Sequence, residues 1–189
     1  MLLIVTCLSS SSPTLQRYLV DVGFGASGAP TSPICFDPFS SSPTKTIAPQ
    51  TAQLHRTTLQ QTSDPTQKYW VYSHRNADDA PWTPTYAFTE TEFLPGDFER
   101  MNYWLVHSKK NWLAGVVIVV RKIMDEKENV VGEMMLVGNE VKRRIGENSE
   151  VLVTARSEME RVAALEKHFG IRLSRSEKDG IRGLGPEIL

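Results

Sequence analysis

The sequence has few cysteines, almost no net charge and no long apolar run. Its two cysteines, Cys7 and Cys35, are too few for a disulfide scaffold and do not form a metal-type spacing. A reducing, cytosolic setting fits them best. The formal net charge of −1 provides no attraction to nucleic acid or to an anionic membrane. No segment reaches the roughly 20 apolar residues that a membrane-spanning helix requires.

The sequence also lacks the patterns of a secretory signal and of a metal site. Residues 1–8 are apolar, but no Lys or Arg precedes them and the first basic residue is Arg17, so we predict a β-strand there. The four histidines, at positions 55, 74, 107 and 168, form no pair at i,i+4 or at another ligand spacing. No metal cofactor is therefore expected.

Charge density changes sharply along the chain. Residues 1–90 contain five Lys or Arg and six Asp or Glu, whereas residues 91–189 contain sixteen of each. The strongest chain-breaking pair near the change is Pro95-Gly96. We therefore predict two domains, residues 1–94 and residues 95–189.

The first predicted domain consists mostly of strands. Two pairs of β-prone runs are expected to form hairpins, the first across a loop at residues 9–13: residues 2–6 with 18–22, and residues 54–62 with 68–74. Residues 26–50 hold five prolines and many Ser and Thr, which predicts an ordered loop.

The second predicted domain mixes helix and sheet. Apolar residues at helical spacing predict a helix over residues 97–108 with Asp97 capping its start, and place Tyr103, Trp104 and Trp112 in a core. A second helix is predicted over residues 157–169, with a capping box at its start, an apolar side that includes residues 162, 163, 165 and 169, and Gly170 at its end. Four strands are expected between them, at residues 115–124, 130–137, 140–145 and 150–154. The run at residues 116–120 is apolar throughout, as in a strand buried on both faces.

The most informative segment is Tyr18-Leu-Val-Asp-Val-Gly-Phe-Gly25. Asp21 lies within an apolar strand, and burying a carboxylate costs several kcal/mol unless a partner offsets the cost. Two glycines follow it and allow a tight turn or the close approach of a ligand. Two interpretations from the residues alone stay open: an aspartate that caps a turn at a strand end, or a functional carboxylate. A phosphate-binding loop is a weak third, because the third glycine and a following helix are missing.

These residues and several later motifs resemble the arylamine N-acetyltransferase family, and its fungal branch in particular. Asp21-Val-Gly-Phe-Gly25 is similar to a family motif, and further similar motifs follow in the family's order: Trp82, Tyr86-Ala-Phe88, Asp97-Phe-Glu-Arg-Met-Asn102, and the pattern from Glu160 to Leu173. The resemblance covers nearly the whole chain. It implies an α+β fold of the cysteine-proteinase-like superfamily, with β-barrel-like antiparallel strands (residues 1–94) followed by an α/β lid (residues 95–189).

The resemblance also implies a reaction. Family members use a Cys-His-Asp triad to move an acyl group from coenzyme A to an aromatic amine in the cytoplasm. By motif, Asp21 corresponds to the triad aspartate and Phe24 to a position lining the acceptor pocket. Ser108 corresponds to a residue facing coenzyme A, although the proline of the family's Thr-Ser-Pro segment is absent here. Lys109 and Lys110 either face the phosphates of coenzyme A or form a solvated edge.

Neither the triad cysteine nor the triad histidine is present at its expected place. In the family the cysteine lies in an N-terminal helical domain, and the histidine immediately precedes the strand that matches residues 2–6. We therefore expect the sequence to begin just past that histidine and to be inactive alone. Cys35 offers little as a substitute, because no helix N-terminus or nearby cation would lower the pKa of its thiol. It is expected to be a packed or partly buried free thiol.

Three hypotheses remain open on the sequence. The chain is part of an active acyltransferase, or a non-catalytic paralogue that binds coenzyme A or a protein partner, or an unrelated β-rich interaction module. We also predict poor solubility or association of the chain by itself, because an uncovered apolar face favours association.

Overall fold

A computed structural model describes residues 2–9, 12–25, 28–36, 43–108 and 110–188. The chain forms two compact units, Met1–Thr91 and Glu92–Leu189. In the described part of the chain, all strand pairs are antiparallel and lie in three sheets, and three α-helices accompany them. The α+β class predicted from the sequence is confirmed. Among the described residues, no helix is long and apolar enough to cross a membrane.

The first unit begins with a three-stranded sheet in the order β1-β2-β3. Its strands are β1 (Leu2–Ser9), β2 (Ser12–Asp21) and β3 (Ile34–Cys35). The predicted hairpin is confirmed, with Leu2 opposite Asp21. The predicted loop at residues 9–13 is too long, because cross-strand pairs such as Leu8 with Leu15 continue the ladder to Ser9 and Ser12. Residues 10 and 11 lie outside the described part of the chain.

A second sheet of the first unit has the order β4-β5-β6-β7. Its strands are β4 (Thr44–Lys45), β5 (Thr51–Thr57), β6 (Tyr69–Arg75) and β7 (Thr83–Phe88). The predicted second hairpin is confirmed as β5 and β6, although β5 lies three residues earlier than expected at its start. The predicted loop over residues 26–50 contains the two short strands β3 and β4. One core cluster joins the sheets: Leu19, Ile34, Phe36, Ala52, Leu54, Trp70 and Tyr72.

The second unit contains a helix, a four-stranded sheet and two further helices. The helices are α1 (Pro95–His107), α2 (Glu158–Phe169) and α3 (Arg175–Asp179). The sheet has the order β11-β10-β9-β8, with β8 (Ile118–Met124), β9 (Val130–Val137), β10 (Glu140–Ile145) and β11 (Asn148–Thr154). A short 3₁₀ helix, Trp112–Gly115, precedes β8. The core of the second unit lies between the sheet and α2 and contains Met134, Leu136, Val141, Ala164 and Leu165.

Three expectations for the second unit are wrong. The apolar run at residues 116–120 is not buried on both faces, because β8 is the edge strand of its sheet and Ile118 is 38% exposed. Tyr103, Trp104 and Trp112 are 67%, 55% and 67% exposed rather than in a core. Helical spacing shows that apolar residues share one face of a helix, but it does not show that another element packs against that face. Asp97 is not the N-cap, since α1 starts at Pro95 and the Asp97 carboxylate accepts the backbone N–H of Leu94 at 3.0 Å.

Ser157 and Gly170 end α2 as predicted, but the predicted capping box is incomplete, because the Glu160 carboxylate accepts the N–H of Arg156 at 2.7 Å rather than that of Ser157. The Ser157 hydroxyl accepts the N–H of Glu160 at 3.3 Å, and Gly170 ends the helix with φ +71°. The buried face differs from the prediction: it comprises Arg161, Ala164 and Leu165, whereas residue 163 is exposed. Sequence reasoning missed α3, although Ser174 and Glu177 at its start form a complete capping box.

Candidate active site around Asp21

Asp21 is the last residue of β2 and its carboxylate closes the turn that follows. Oδ1 accepts the backbone N–H groups of Gly23 and Phe24, both at 3.0 Å. This is the geometry of an aspartate that caps a turn at a strand end. It uses one carboxylate oxygen and leaves the other for a different partner.

Tyr86 of β7 provides that partner. Its hydroxyl donates to Oδ2 of Asp21 at 2.7 Å, across 65 residues of sequence. The Tyr86 ring stacks on Tyr72 of β6, with centroids 5.0 Å apart and planes 13° apart. Tyr72 is fully buried, and its own hydroxyl donates to the carbonyl of Gly28 at 2.6 Å. Asp21 is thus fixed by three hydrogen-bond donors.

Burial keeps both phenols protonated. It raises the pKa of Tyr86 far above the ordinary value, and the hydrogen bond to the Asp21 carboxylate raises it further. Burial also raises the pKa of Tyr72, with the negative charge of Asp21 as the second cause. Both hydroxyls therefore remain donors at neutral pH. The Asp21 carboxylate accepts from two backbone N–H groups and from the Tyr86 hydroxyl.

Phe24 lies beside this cluster. Its half-buried ring meets the edge of Tyr86, with centroids 5.7 Å apart and planes 71° apart. The structure therefore brings together Asp21 and Phe24, two of the three site residues expected from the sequence. Tyr72 and Tyr86 were not identified as site residues from the sequence. Tyr86 belongs to the family motif Tyr86-Ala-Phe88, whereas Tyr72 carried no comparable signal.

No histidine or cysteine is among the hydrogen-bond partners of Asp21 in the described part of the chain. His74 Nδ1 lies 2.9 Å from the Thr85 hydroxyl, and His55 lies on β5. Cys35 is a half-buried free thiol, as expected, and its sulfur accepts a hydrogen bond from Gln16 Nε2 at 3.1 Å. Within the described residues, Asp21 is therefore an oriented carboxylate that contacts no histidine or cysteine. Among the described residues no cluster of potential metal ligands is found.

Ser108, the third expected site residue, ends α1 in the second unit. Its N–H donates to the carbonyl of Trp104 at 2.9 Å, and its hydroxyl accepts the N–H of Lys110 at 3.3 Å. The hydroxyl therefore stabilises its own turn. Lys109 lies outside the described residues.

The motifs and the fold agree with comparisons to known proteins. A family model described as N-acetyltransferase matches residues 2–178. The chain belongs to this family, the arylamine N-acetyltransferases, which confirms the resemblance seen in the sequence.

Two fungal relatives show the same similarity. The chain is 34% identical over 175 residues to the N-malonyltransferase FDB2 of Fusarium pseudograminearum, covering 88% of this chain and 50% of that protein. It is 32% identical to the protein of the same name in Gibberella moniliformis, with the same coverage. The chain thus spans about half the length of the curated relatives it matches.

Solved structures share the fold. The arylamine N-acetyltransferase of Mycobacterium abscessus superposes with a TM-score of 0.69 at 18% identity, over 93% of this chain and 55% of that one. The enzyme of Mycobacterium marinum in complex with CoA superposes with a TM-score of 0.64 at 16% identity, over 94% of this chain and 66% of that one.

Proposed function

We propose that this chain carries the aspartate of a Cys-His-Asp triad in an enzyme that transfers an acyl group from acyl-CoA to an aromatic amine. The observation that supports this most strongly is the Asp21 carboxylate, held at a strand end by three donors within a chain of this family. An aspartate so fixed orients a histidine and stabilises its protonated form, which in turn keeps a cysteine as the reactive thiolate.

In the proposed reaction the thiolate attacks the thioester carbonyl of acyl-CoA. The acyl group passes to the cysteine sulfur and coenzyme A leaves as the thiol. The amine then attacks the enzyme thioester, which releases the amide product and the cysteine. The acyl donor is acetyl-CoA or another acyl-CoA. Malonyl-CoA is one donor to test, because the relatives in Fusarium and Gibberella are named N-malonyltransferases.

The register of β1 and β2 fits this role. Leu2 lies opposite Asp21, so a histidine immediately before Met1 in a longer chain would lie near the same end of the hairpin as the carboxylate. No histidine or cysteine within residues 1–189 lies at a position that matches the triad histidine or the triad cysteine. Residues 1–189 alone are therefore proposed to be inactive.

Further parts of the proposal concern the surroundings of the triad. Phe24, beside Tyr86, lines the acceptor pocket, and Ser108 faces coenzyme A. Residues 1–94 form the barrel-like domain and residues 95–189 the lid of a cytoplasmic enzyme. No metal takes part.

The role of Asp21 is tested in a chimera that joins the N-terminal half of the Fusarium relative to residues 2–189. We expect release of coenzyme A from acetyl-CoA or malonyl-CoA in the presence of an arylamine. Asp21→Asn should lower kcat/KM by roughly 10³-fold or more, since a triad aspartate sets the histidine tautomer.

A matched control is Asp64→Asn. Asp64 also closes a turn, with Oδ1 accepting the N–H of Thr66 at 2.8 Å, but it is exposed and distant in sequence from the motif. This variant should keep activity within about two-fold. Equal activities of the Asp21→Asn and Asp64→Asn chimeras, or a folded chimera without any activity, would contradict the proposal.

One alternative is a non-catalytic paralogue that binds coenzyme A or a protein partner. Such a protein would be stabilised against heat by coenzyme A without forming product. A thermal shift with coenzyme A, combined with an inactive chimera, would establish this alternative.

A further inference from the structure

A second polar site lies in the first unit, away from Asp21. A cavity of about 520 Å³ is lined by Arg17, Arg56, Lys68, Trp70 and Glu90, together with two threonines, and we name it the basic pocket. Arg17 precedes Asp21 by four residues on β2, which places the two roughly 13 Å apart along the strand. The basic pocket is therefore distinct from the Asp21 cluster.

The floor of the basic pocket is fixed by buried groups. Trp70 is only 3% exposed, and its indole N–H donates to Glu90 Oε1 at 2.8 Å. The other oxygen of Glu90 accepts from Arg17 Nη1 at 2.5 Å. The Arg17 guanidinium also lies over the ring of Phe36, 5.6 Å from its centroid. Arg17 is consequently held by a core tryptophan, through Glu90, and by a core phenylalanine.

The charges of the basic pocket do not balance. Hydrogen bonds from Trp70 and Arg17 lower the pKa of Glu90, and the charges of Arg17 and Arg56 lower it further, so the carboxylate is ionised at neutral pH. Three cationic side chains thus face one carboxylate. In the described part of the chain, Arg17 is paired with Glu90, whereas Arg56 and Lys68 form no ion pair.

We infer that the basic pocket binds a phosphate-type oxyanion, either free phosphate or the phosphoryl group of a small molecule. The excess of two positive charges matches a dianion, and a guanidinium is suited to bidentate contact with its oxygens. Arg56 and Lys68 supply two cations without an ion-pair partner among the described residues. Arg17, held by Glu90, supplies the third cationic donor. This site does not depend on acyl transfer, because it contains no residue of the Asp21 cluster.

The indole N–H of Trp70 reports on binding in ¹H–¹⁵N spectra of residues 1–189. Inorganic phosphate, added at constant ionic strength against chloride, should shift this resonance in a saturable way. Arg56→Gln and Lys68→Gln should each weaken the apparent affinity by roughly five-fold, the upper range for one exposed charge pair. Lys45→Gln removes the same charge from exposed β4 outside the pocket and should leave the affinity unchanged.

Glu90→Gln provides a test in the opposite direction. The amide oxygen still accepts the Trp70 N–H while the negative charge is lost, so phosphate should bind more tightly. A repeat titration with phenyl phosphate separates the two sources: tighter binding than phosphate identifies an esterified ligand, and weaker binding identifies free phosphate. Absence of a saturable shift, equal effects of Lys45→Gln and Arg56→Gln, or weaker binding by Glu90→Gln would overturn the inference.

Discussion

Glu133 is the clearest point at which a single substitution should weaken the second unit. Its side chain is fully buried in the central strand β9, opposite Lys122 of β8 and Arg144 of β10. Lys122 Nζ lies 2.8 Å from Oε2 and Arg144 Nη2 lies 3.1 Å from Oε1. Glu133→Gln keeps the shape but removes the charge that both cations need.

The size of the effect follows from burial. Breaking a fully buried ion pair costs about 3–5 kcal/mol. Lys122 and Arg144 are 27% and 16% exposed, so water compensates part of their lost partner. We expect the free energy of unfolding of the Glu133→Gln variant to fall by roughly 2–3 kcal/mol.

Equilibrium unfolding in urea, followed by far-UV circular dichroism, measures this loss. The control is Glu140→Gln on β10, because the Glu140–Lys142 pair has the same 2.8 Å contact but side chains that are 40% and 44% exposed. The control should change stability by about 0.5 kcal/mol or less. A loss for Glu133→Gln no larger than that of the control would refute the reasoning.

Three further outcomes are expected. Gly28→Ala should cost roughly 2–4 kcal/mol in urea unfolding, because φ is +83° and a Cβ would lie 2.6 Å from the His74 ring, whereas Gly25→Ala meets open space and should be tolerated. Burial raises the pKa of Tyr72 in the folded protein, so its contribution to stability is complete below the unfolded pKa of about 10 and is lost as the pH rises above that value. In the Tyr72→Phe variant the urea midpoint of unfolding should therefore fall less as the pH rises. Leu8 is 70% exposed on the edge strand β1, so Leu8→Lys should raise the monomer fraction in sedimentation velocity, and an unchanged fraction would contradict the predicted association.

Local patterns predicted most of the strands and α2. The hairpin of β5 and β6 and the strands β9 and β10 follow from β-prone runs bounded by polar breaks, and α2 follows from Ser157 and Gly170 at its ends. Such signals depend only on neighbouring residues, so they can be read from the sequence.

Burial was harder to predict than secondary structure. The apolar face of α1 has helical spacing, but none of its residues is buried, because spacing carries no information about the surface opposite. Likewise β8 has the composition of a central strand and lies at an edge, since strand order is decided by pairing between distant segments.

The candidate site was predicted in part. Asp21 and Phe24 were singled out from one short motif, and the structure places them together. The contact between Asp21 and Tyr86 spans 65 residues and depends on how the two sheets of the first unit share a core, which no local pattern shows. The roles of Asp21, Phe24 and Ser108 in acyl transfer remain predictions.

The sequence of the transcript upstream of the Met1 codon tests the central claim most directly. The account predicts an in-frame histidine codon immediately before that codon and a cysteine-bearing segment further upstream, which would make Asp21 the third member of a triad. A stop codon directly upstream in the same frame would contradict it, because no histidine could then precede β1 to meet the Asp21 carboxylate.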